Sequence, residues 1–201
     1  MTDQILTGRR VELRAIGPGD LAQVHAFAYT VSIVEPLDDL SALQAAHQAS
    51  GFWSEAAGAL AIVQRDSGRL LGTCQFYRGG PCIHGFELGY IIHDIADWGQ
   101  GYGAEALQMF SDHLFAVRLA AHRHQLLIEV WNTRSWRLAE RGGFVREGVM
   151  RASGLGAGVP ADSFVYSRTR NDWEQAATSH NGPGGAAART DPKLGASETR
   201  P

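Results

Sequence analysis

The segment Trp98-Gly99-Gln100-Gly101-Tyr102-Gly103-Ala104-Glu105-Ala106 constrains this chain more than any other. It stands between a strand-like run and a stretch of helical spacing, Gly103 to Val117. There Ala106, Leu107, Phe110, Leu114 and Phe115 fall on one face. Glycine admits backbone conformations that other residues resist, and it lets a ligand approach the main chain. The first N–H groups of a helix lack intrahelical partners and lie at the positive end of its dipole. A pyrophosphate placed there is well held. The residues alone leave open a plain connecting turn, and also a dinucleotide fingerprint, since Gly99, Gly101 and Ala104 fit G-x-G-x-x-A. That fingerprint belongs after a first parallel strand, with an acidic residue about 20 positions on. Here the turn lies mid-chain, and Arg118 to His124 holds no carboxylate. A phosphate loop of the Gly-Lys-Ser/Thr type is excluded, because that tripeptide is absent.

The pattern around the turn alternates strands and helices. Arg9 to Ala15 alternates apolar and polar residues as a half-buried strand does. Asp20 is expected to cap a helix over Leu21 to Tyr29, and Asp38 or Asp39 a second one running to about Gln48. Leu60–Gln64 and Leu70–Tyr77 read as a hairpin around Asp66-Ser67-Gly68, followed by a strand at Phe86–Ile92. Leu126–Trp131 reads as a strand and Arg134–Arg141 as a helix ended by Gly142-Gly143. Strands at Phe144–Val149 and Phe164–Arg168 complete an α/β chain with an antiparallel front half.

The chain has 201 residues, enough for one domain of ordinary size. Its apolar fraction of 44% and charged fraction of 19% are those of a globular protein. A net charge of −3 argues against a general nucleic-acid binder. No run approaches the roughly 18 apolar residues of a membrane span. Met1 to Arg10 lacks the apolar core of a secretory signal, and Cys74 and Cys82 have no metal-type or redox-type spacing. A cytoplasmic setting is expected. From Thr178 onward the only large aliphatic residue is Leu194, and there is no aromatic. The expected organisation is a domain over 6–174 and a disordered tail over 175–201.

Three blocks in order resemble the GCN5-related N-acetyltransferase (GNAT) superfamily, and its RimJ/RimL-like branch in particular. They are Glu87-Leu88-Gly89-Tyr90, the glycine segment itself, and Asn132-Thr133-Arg134-Ser135 followed by Gly143-Phe144 and Glu147-Gly148. Leu6 to Arg14 with Asp20, and Tyr166 with Asp172-Trp173, echo the branch's opening and close. The resemblance implies a mixed, mostly antiparallel twisted sheet with two splayed parallel central strands, Leu88–Ile92 and Leu126–Trp131, and flanking helices. It implies acetyl-CoA as acyl donor and no metal. It places the pyrophosphate at Trp98, Gly99, Gln100, Gly101, Tyr102, Gly103 and Ala104. The pantetheine then pairs with backbone near Tyr90, Ile91 and Ile92 as an added strand would, and with Asn132.

Acetyl transfer to an amine needs a neutral nucleophile, an oxyanion donor and a proton for the leaving thiolate. Glu87 is the expected general base, acting through water, and Ser135 the expected donor to sulfur. On spacing alone Asn132 reads equally as the cap of the following helix. His84, His93, His122, His124 and Asp162 are alternative bases. None of the histidines has metal-site spacing. The expected partner is a small-molecule or peptide amine, with neither nucleic acid nor membrane involved, and a homodimer is compatible with this reading. A non-catalytic acyl-CoA sensor, a resistance or tailoring enzyme for an antibiotic-like amine, and an NAD(P)-dependent oxidoreductase remain rivals.

Overall fold

The computed structural model describes residues 5–26, 39–80, 83–156 and 158–180. Its strands are β1 (Leu6–Thr7), β2 (Val11–Ala15), β3 (Ala57–Gln64), β4 (Leu70–Arg78), β5 (Gly85–Ile92), β6 (Arg123–Glu129), β7 (Val145–Gly156) and β8 (Val159–Thr169). The helices are α1 (Leu21–Ala26), α2 (Leu40–Ser50), α3 (Tyr102–Val117), α4 (Thr133–Arg141) and α5 (Arg170–His180). Among the described residues the strands form one sheet in the order β1-β2-β3-β4-β5-β6-β8-β7. Every neighbouring pair is antiparallel except β5–β6, which is parallel. This is the mixed, mostly antiparallel sheet with one parallel central pair that the resemblance implied.

Strand alternation sorts apolar side chains onto two faces. Leu60, Ile62, Cys74, Phe76, Phe86, Leu88, Leu126 and Ile128 meet α3 and α4 in the larger core. Ala61, Val63 and Leu70 point the other way and pack with Leu21 and Val24 of α1, against Leu40 and Leu43 of α2. In α3, Leu107, Phe110, Leu114 and Phe115 are wholly buried. Burying each such side chain is worth about 1.5–3 kcal/mol. That stripe anchors the helix across the middle of the sheet. No helix among the described residues is long and apolar enough to cross a membrane.

Several expected boundaries move. Asp20 does not cap α1. Its carboxylate turns back to the Gly17 N–H at 2.8 Å and to Arg14 at 2.6 and 2.9 Å, stabilising a 3-10 turn at Pro18–Asp20. Asp39 does cap α2, accepting from the Ala42 N–H at 2.7 Å. The helix expected to reach Tyr29 is described to Ala26, and residues 27–38 lie outside the described residues. The strand expected at Leu126–Trp131 is β6, which starts earlier and stops at Glu129. The chain turns there because the Asn132 N–H donates to the Glu129 carbonyl at 2.8 Å. β7 and β8 form a longer hairpin than the periodicity indicated. Register shifts at Arg146/Gly148 and Met150/Gly154 break the alternation that would reveal its length. α5 continues to His180, past the 174 boundary, and residues 181–201 lie outside the described residues.

Candidate active site

The parallel pair is short. Register pairs join Gly85 to Arg123, Phe86 to His124 and Glu87 to Gln125, and none is formed beyond them among the described residues. β5 continues to Ile92 and β6 to Glu129, so the two strands part after Glu87. The His93 N–H donates to the Leu71 carbonyl at 3.1 Å, and the Gly79 N–H donates to the Gly85 carbonyl at 3.1 Å. These bonds fix the alternation along β5. Glu87, Gly89 and Ile91 exchange backbone bonds with β4, while Tyr90 and Ile92 turn theirs into the opening. By this alternation the Ile91 backbone faces the β4 ladder. Tyr90 and Ile92 present the edge groups to which an extended ligand could add.

The far end of the opening is closed by the glycine turn. Trp98 donates its indole N–H to the Ile92 carbonyl at 2.7 Å. The Arg134 guanidinium lies 5.2 Å from the Trp98 ring centre. Gly99 and Gly101 sit at φ 79° and 87°, the left-handed region that glycine tolerates. Gly101 is the N-cap of α3, so the N–H groups of Tyr102, Gly103 and Ala104 begin the helix without intrahelical acceptors. A Cβ at Gly103 would come within 3.2 Å of Leu138 Cδ1 and 3.5 Å of Ile92 Cγ1, so a bare backbone lets α3 settle against β5 and α4. Glu105 ties the turn to the N-terminal strand region by accepting from the Arg10 N–H at 2.9 Å. The first N–H groups of α3 thus follow a turn that is open at Gly99, where a Cβ would meet nothing within 4 Å. These features fit a pyrophosphate.

Glu87 lies half-buried where the strands part, on the sheet face opposite Leu88 and Tyr90. Tyr77 of β4 donates to Glu87 Oε1 at 3.2 Å, and Gln125 of β6 donates to Oε2 at 3.2 Å. Burial raises the Glu87 carboxyl above its usual range, and the two hydrogen bonds only partly oppose that rise. A raised carboxyl is better matched to taking a proton near neutrality. Tyr77 is itself pushed well up by burial and by the neighbouring Glu87 charge, so it remains a donor. Glu129, buried, follows on the same face of β6.

Asn132 caps α4: its Oδ1 accepts from the Ser135 N–H at 3.2 Å. Capping uses only the side-chain oxygen, and the amide NH2 stays available to a ligand. Ser135 Oγ lies 2.7 Å from the Tyr90 hydroxyl, on the α3/α4 side of the sheet. Glu87 and Ser135 thus stand on opposite faces at the opening.

The alternative bases separate. His124 is fully buried, hydrogen-bonded through Nδ1 to Ser111 Oγ at 2.9 Å and stacked on Phe115 with ring centres 3.7 Å apart. Burial, aided by Arg168 and Arg170, pushes it down to about 3. It is a core histidine. His93 follows β5, and burial pushes it down to about 4. His122 and His84 join backbones where β5 and β6 begin, the His122 N–H donating to the His84 carbonyl at 2.8 Å. Asp162 Oδ1 accepts from the Ala152 N–H at 2.9 Å, shaping the β7 bulge. Among the described residues no group of three His, Cys, Asp or Glu could hold a metal ion. Sequence reasoning missed Tyr77, Gln125 and the Tyr90 side chain. The first two stand directly opposite Glu87 in register, a signal available once strand pairing is known.

Comparisons with known proteins bear on the family and the fold. Residues 10–145 match the family model described as the acetyltransferase (GNAT) domain. The chain is 26% identical over 121 residues to p20 of Bacillus licheniformis, an uncharacterized N-acetyltransferase, covering 58% of this chain and 65% of that one. It is 31% identical over 106 residues to YoaA of Bacillus subtilis, also an uncharacterized N-acetyltransferase, covering 53% and 59%. In both cases the chain spans less than two thirds of the relative's own length. A spermidine N-acetyltransferase from Vibrio cholerae, solved with CoA and spermine, shares the fold at a TM-score of 0.69 and 19% identity, covering 82% of this chain and 98% of that one.

Proposed function

The chain belongs to the GNAT acetyltransferase domain family, and on that premise we propose that it transfers an acetyl group from acetyl-CoA to a primary amine by direct attack on the thioester. The observation that carries the reading is the parting of β5 and β6 after Glu87, with a carboxylate on one face and a hydroxyl on the other. The pantetheine lies in this opening along Tyr90 and Ile92 and near the Asn132 amide. The pyrophosphate rests on Trp98 to Ala104. A thioester carbonyl in the opening finds backbone N–H groups of β5 as oxyanion donors. An amine arriving from the Glu87 face loses its proton to Glu87 through water, and the departing sulfur faces Ser135.

The amine side is acidic. Glu87 and the buried Glu129 occupy the same face of the sheet, which draws in a protonated amine before it is neutralised. The acceptor is a protein N-terminal α-amine, as in a RimJ/RimL-like enzyme, or a small amine of comparable basicity. The protein works in the cytoplasm and uses no metal.

The test is release of free thiol from acetyl-CoA against a panel of N-terminal peptides, polyamines, amino acids and antibiotic-like amines. Turnover with at least one amine class is the expected result. Micromolar binding of acetyl-CoA with no turnover on any of them would assign the chain instead to acyl-CoA sensing.

A further inference from the structure

The hydroxyl of Tyr90 has no task in the reaction as described so far, yet it lies 2.7 Å from Ser135 Oγ. We propose that Tyr90 is the positioning residue for Ser135: its phenol O–H donates to Ser135 Oγ and so leaves the serine proton free for the departing sulfur. This role rests on the acetyl-transfer reading above.

The two side chains reach each other from elements held independently. The Tyr90 ring comes from β5 and packs beneath the start of α3, where its Cδ2 would lie 3.7 Å from a Cβ at Gly103. The backbone of Ser135 is fixed by the α4 cap, its N–H donating to Asn132 Oδ1 at 3.2 Å and to the Asn132 carbonyl at 3.1 Å. Among the described residues Tyr90 is the only side chain hydrogen-bonded to Ser135 Oγ. The Ser135 carbonyl is 3.3 Å from the same phenol, a longer and weaker alternative.

A serine hydroxyl has one proton and two lone pairs. Without a donor beside it, a serine hydroxyl in the first turn of a helix is free to spend that proton on a nearby backbone or side-chain acceptor. A phenol that gives its proton to Oγ occupies one lone pair and leaves the serine O–H to point elsewhere. Burial pushes Tyr90 up to about 12, so it keeps its proton through the cycle.

The chemistry balances without a proton leaving Tyr90. The ammonium first loses one proton to solvent; the neutral amine nitrogen then bonds to the thioester carbon and gives its second proton to Glu87 through water. The carbon–sulfur bond breaks with its electron pair on sulfur, which the Ser135 O–H stabilises by a hydrogen bond. With a thiol pKa of about 8.5, the released thiolate takes its proton from water.

The test compares Tyr90→Phe, Ser135→Ala and the double variant in the full-length protein, with acetyl-CoA and an accepted primary amine. Tyr90→Phe keeps the ring and removes one hydroxyl. It should lower kcat about tenfold, the scale of one hydrogen bond, and leave the acetyl-CoA Kd unchanged. In the Ser135→Ala background the phenol has nothing left to orient, so the double variant should turn over as Ser135→Ala does. A wild-type kcat in Tyr90→Phe, or a further fall on adding it to Ser135→Ala, would overturn the role. A wild-type protein that binds acetyl-CoA and releases no thiol with any amine would overturn acetyl transfer itself, and this role with it.

Discussion

Trp98 holds the carbonyl of Ile92 through its indole N–H at 2.7 Å, joining the last residue of β5 to the first residue of the glycine turn. The contact fixes the distance between the strand edge and the helix amides of α3. It also occupies the Ile92 carbonyl. A ligand that pairs with Tyr90 and Ile92 would therefore meet the α3 N-terminus at a set separation.

The glycine turn is the most exposed to substitution. Gly101 sits at φ 87° with the Arg10 guanidinium 3.5 Å from where a Cβ would be. A β-branched residue there is strained by about 1–3 kcal/mol and crowds the first amides of α3. Gly101→Val should weaken acetyl-CoA binding tenfold or more by titration calorimetry. An unchanged Kd would remove the turn from the donor site.

Glu87→Gln removes the proposed base. Turnover should fall more at about pH 6.5 than at about pH 9, where an α-amine of pKa about 7.8 is already neutral. Because burial raises the folded-state pKa of Glu87, the wild-type protein is penalised progressively as pH climbs from the unfolded value to that raised value, in full above it and not at all below the unfolded value. Glu87→Gln should accordingly raise the Tm at neutral pH, and the gain should vanish in acid. A pH-independent loss of rate would reduce Glu87 to a positioning group.

The acceptor preference follows from proton cost. At pH 7 a lysine side chain of pKa about 10.4 needs about 4.6 kcal/mol to become neutral, and an α-amine about 1 kcal/mol. Glu87 is flanked by the uncharged donors Tyr77 and Gln125. Peptide α-amines should therefore react faster than lysine analogues across the neutral range. Competition assays reversing that order would contradict the amine assignment.

Acid stability has a separate source. Glu147 on β7 is held down to about 2, first by Arg123 and then by Ser167, which donates at 2.6 Å. A depressed carboxylate stabilises the fold above its unfolded pKa of about 4.3 and loses that contribution as pH falls toward its folded value. Glu147→Gln should flatten the acid unfolding curve between about pH 4 and pH 2, as followed by circular dichroism. The partly exposed pair keeps the effect modest. An unaltered curve would show that the pair does not anchor β7.

The elements of this fold were legible where one physical signal dominated. The α3 stripe from Ala106 to Phe115, the Asp39 cap and the strand ending at Ile92 stand as their periodicity and cap chemistry indicated. The β7–β8 hairpin was not, because two register shifts erase the period-two pattern. Asp20 misled because a carboxylate before a helix can serve an arginine and a 3-10 turn as readily as the helix. At the site, residue types suggested Glu87 and Ser135, but their immediate partners come from other strands. Tyr77 is ten residues from Glu87 and Tyr90, noted for its backbone alone, is 45 from Ser135, and only the strand register and the seat of α4 bring their side chains into place.

The sheet is continuous from β1 to β7 only through three register pairs between β5 and β6. Beyond them the two halves of the molecule are bridged by helix packing. A donor lying along Tyr90 and Ile92 is then a missing rung rather than a guest in a finished cavity. Saturating ligand should slow amide exchange in β5 and resist protease nicking across both halves together. The survival time of the protein would rise and fall with the supply of its own acyl donor.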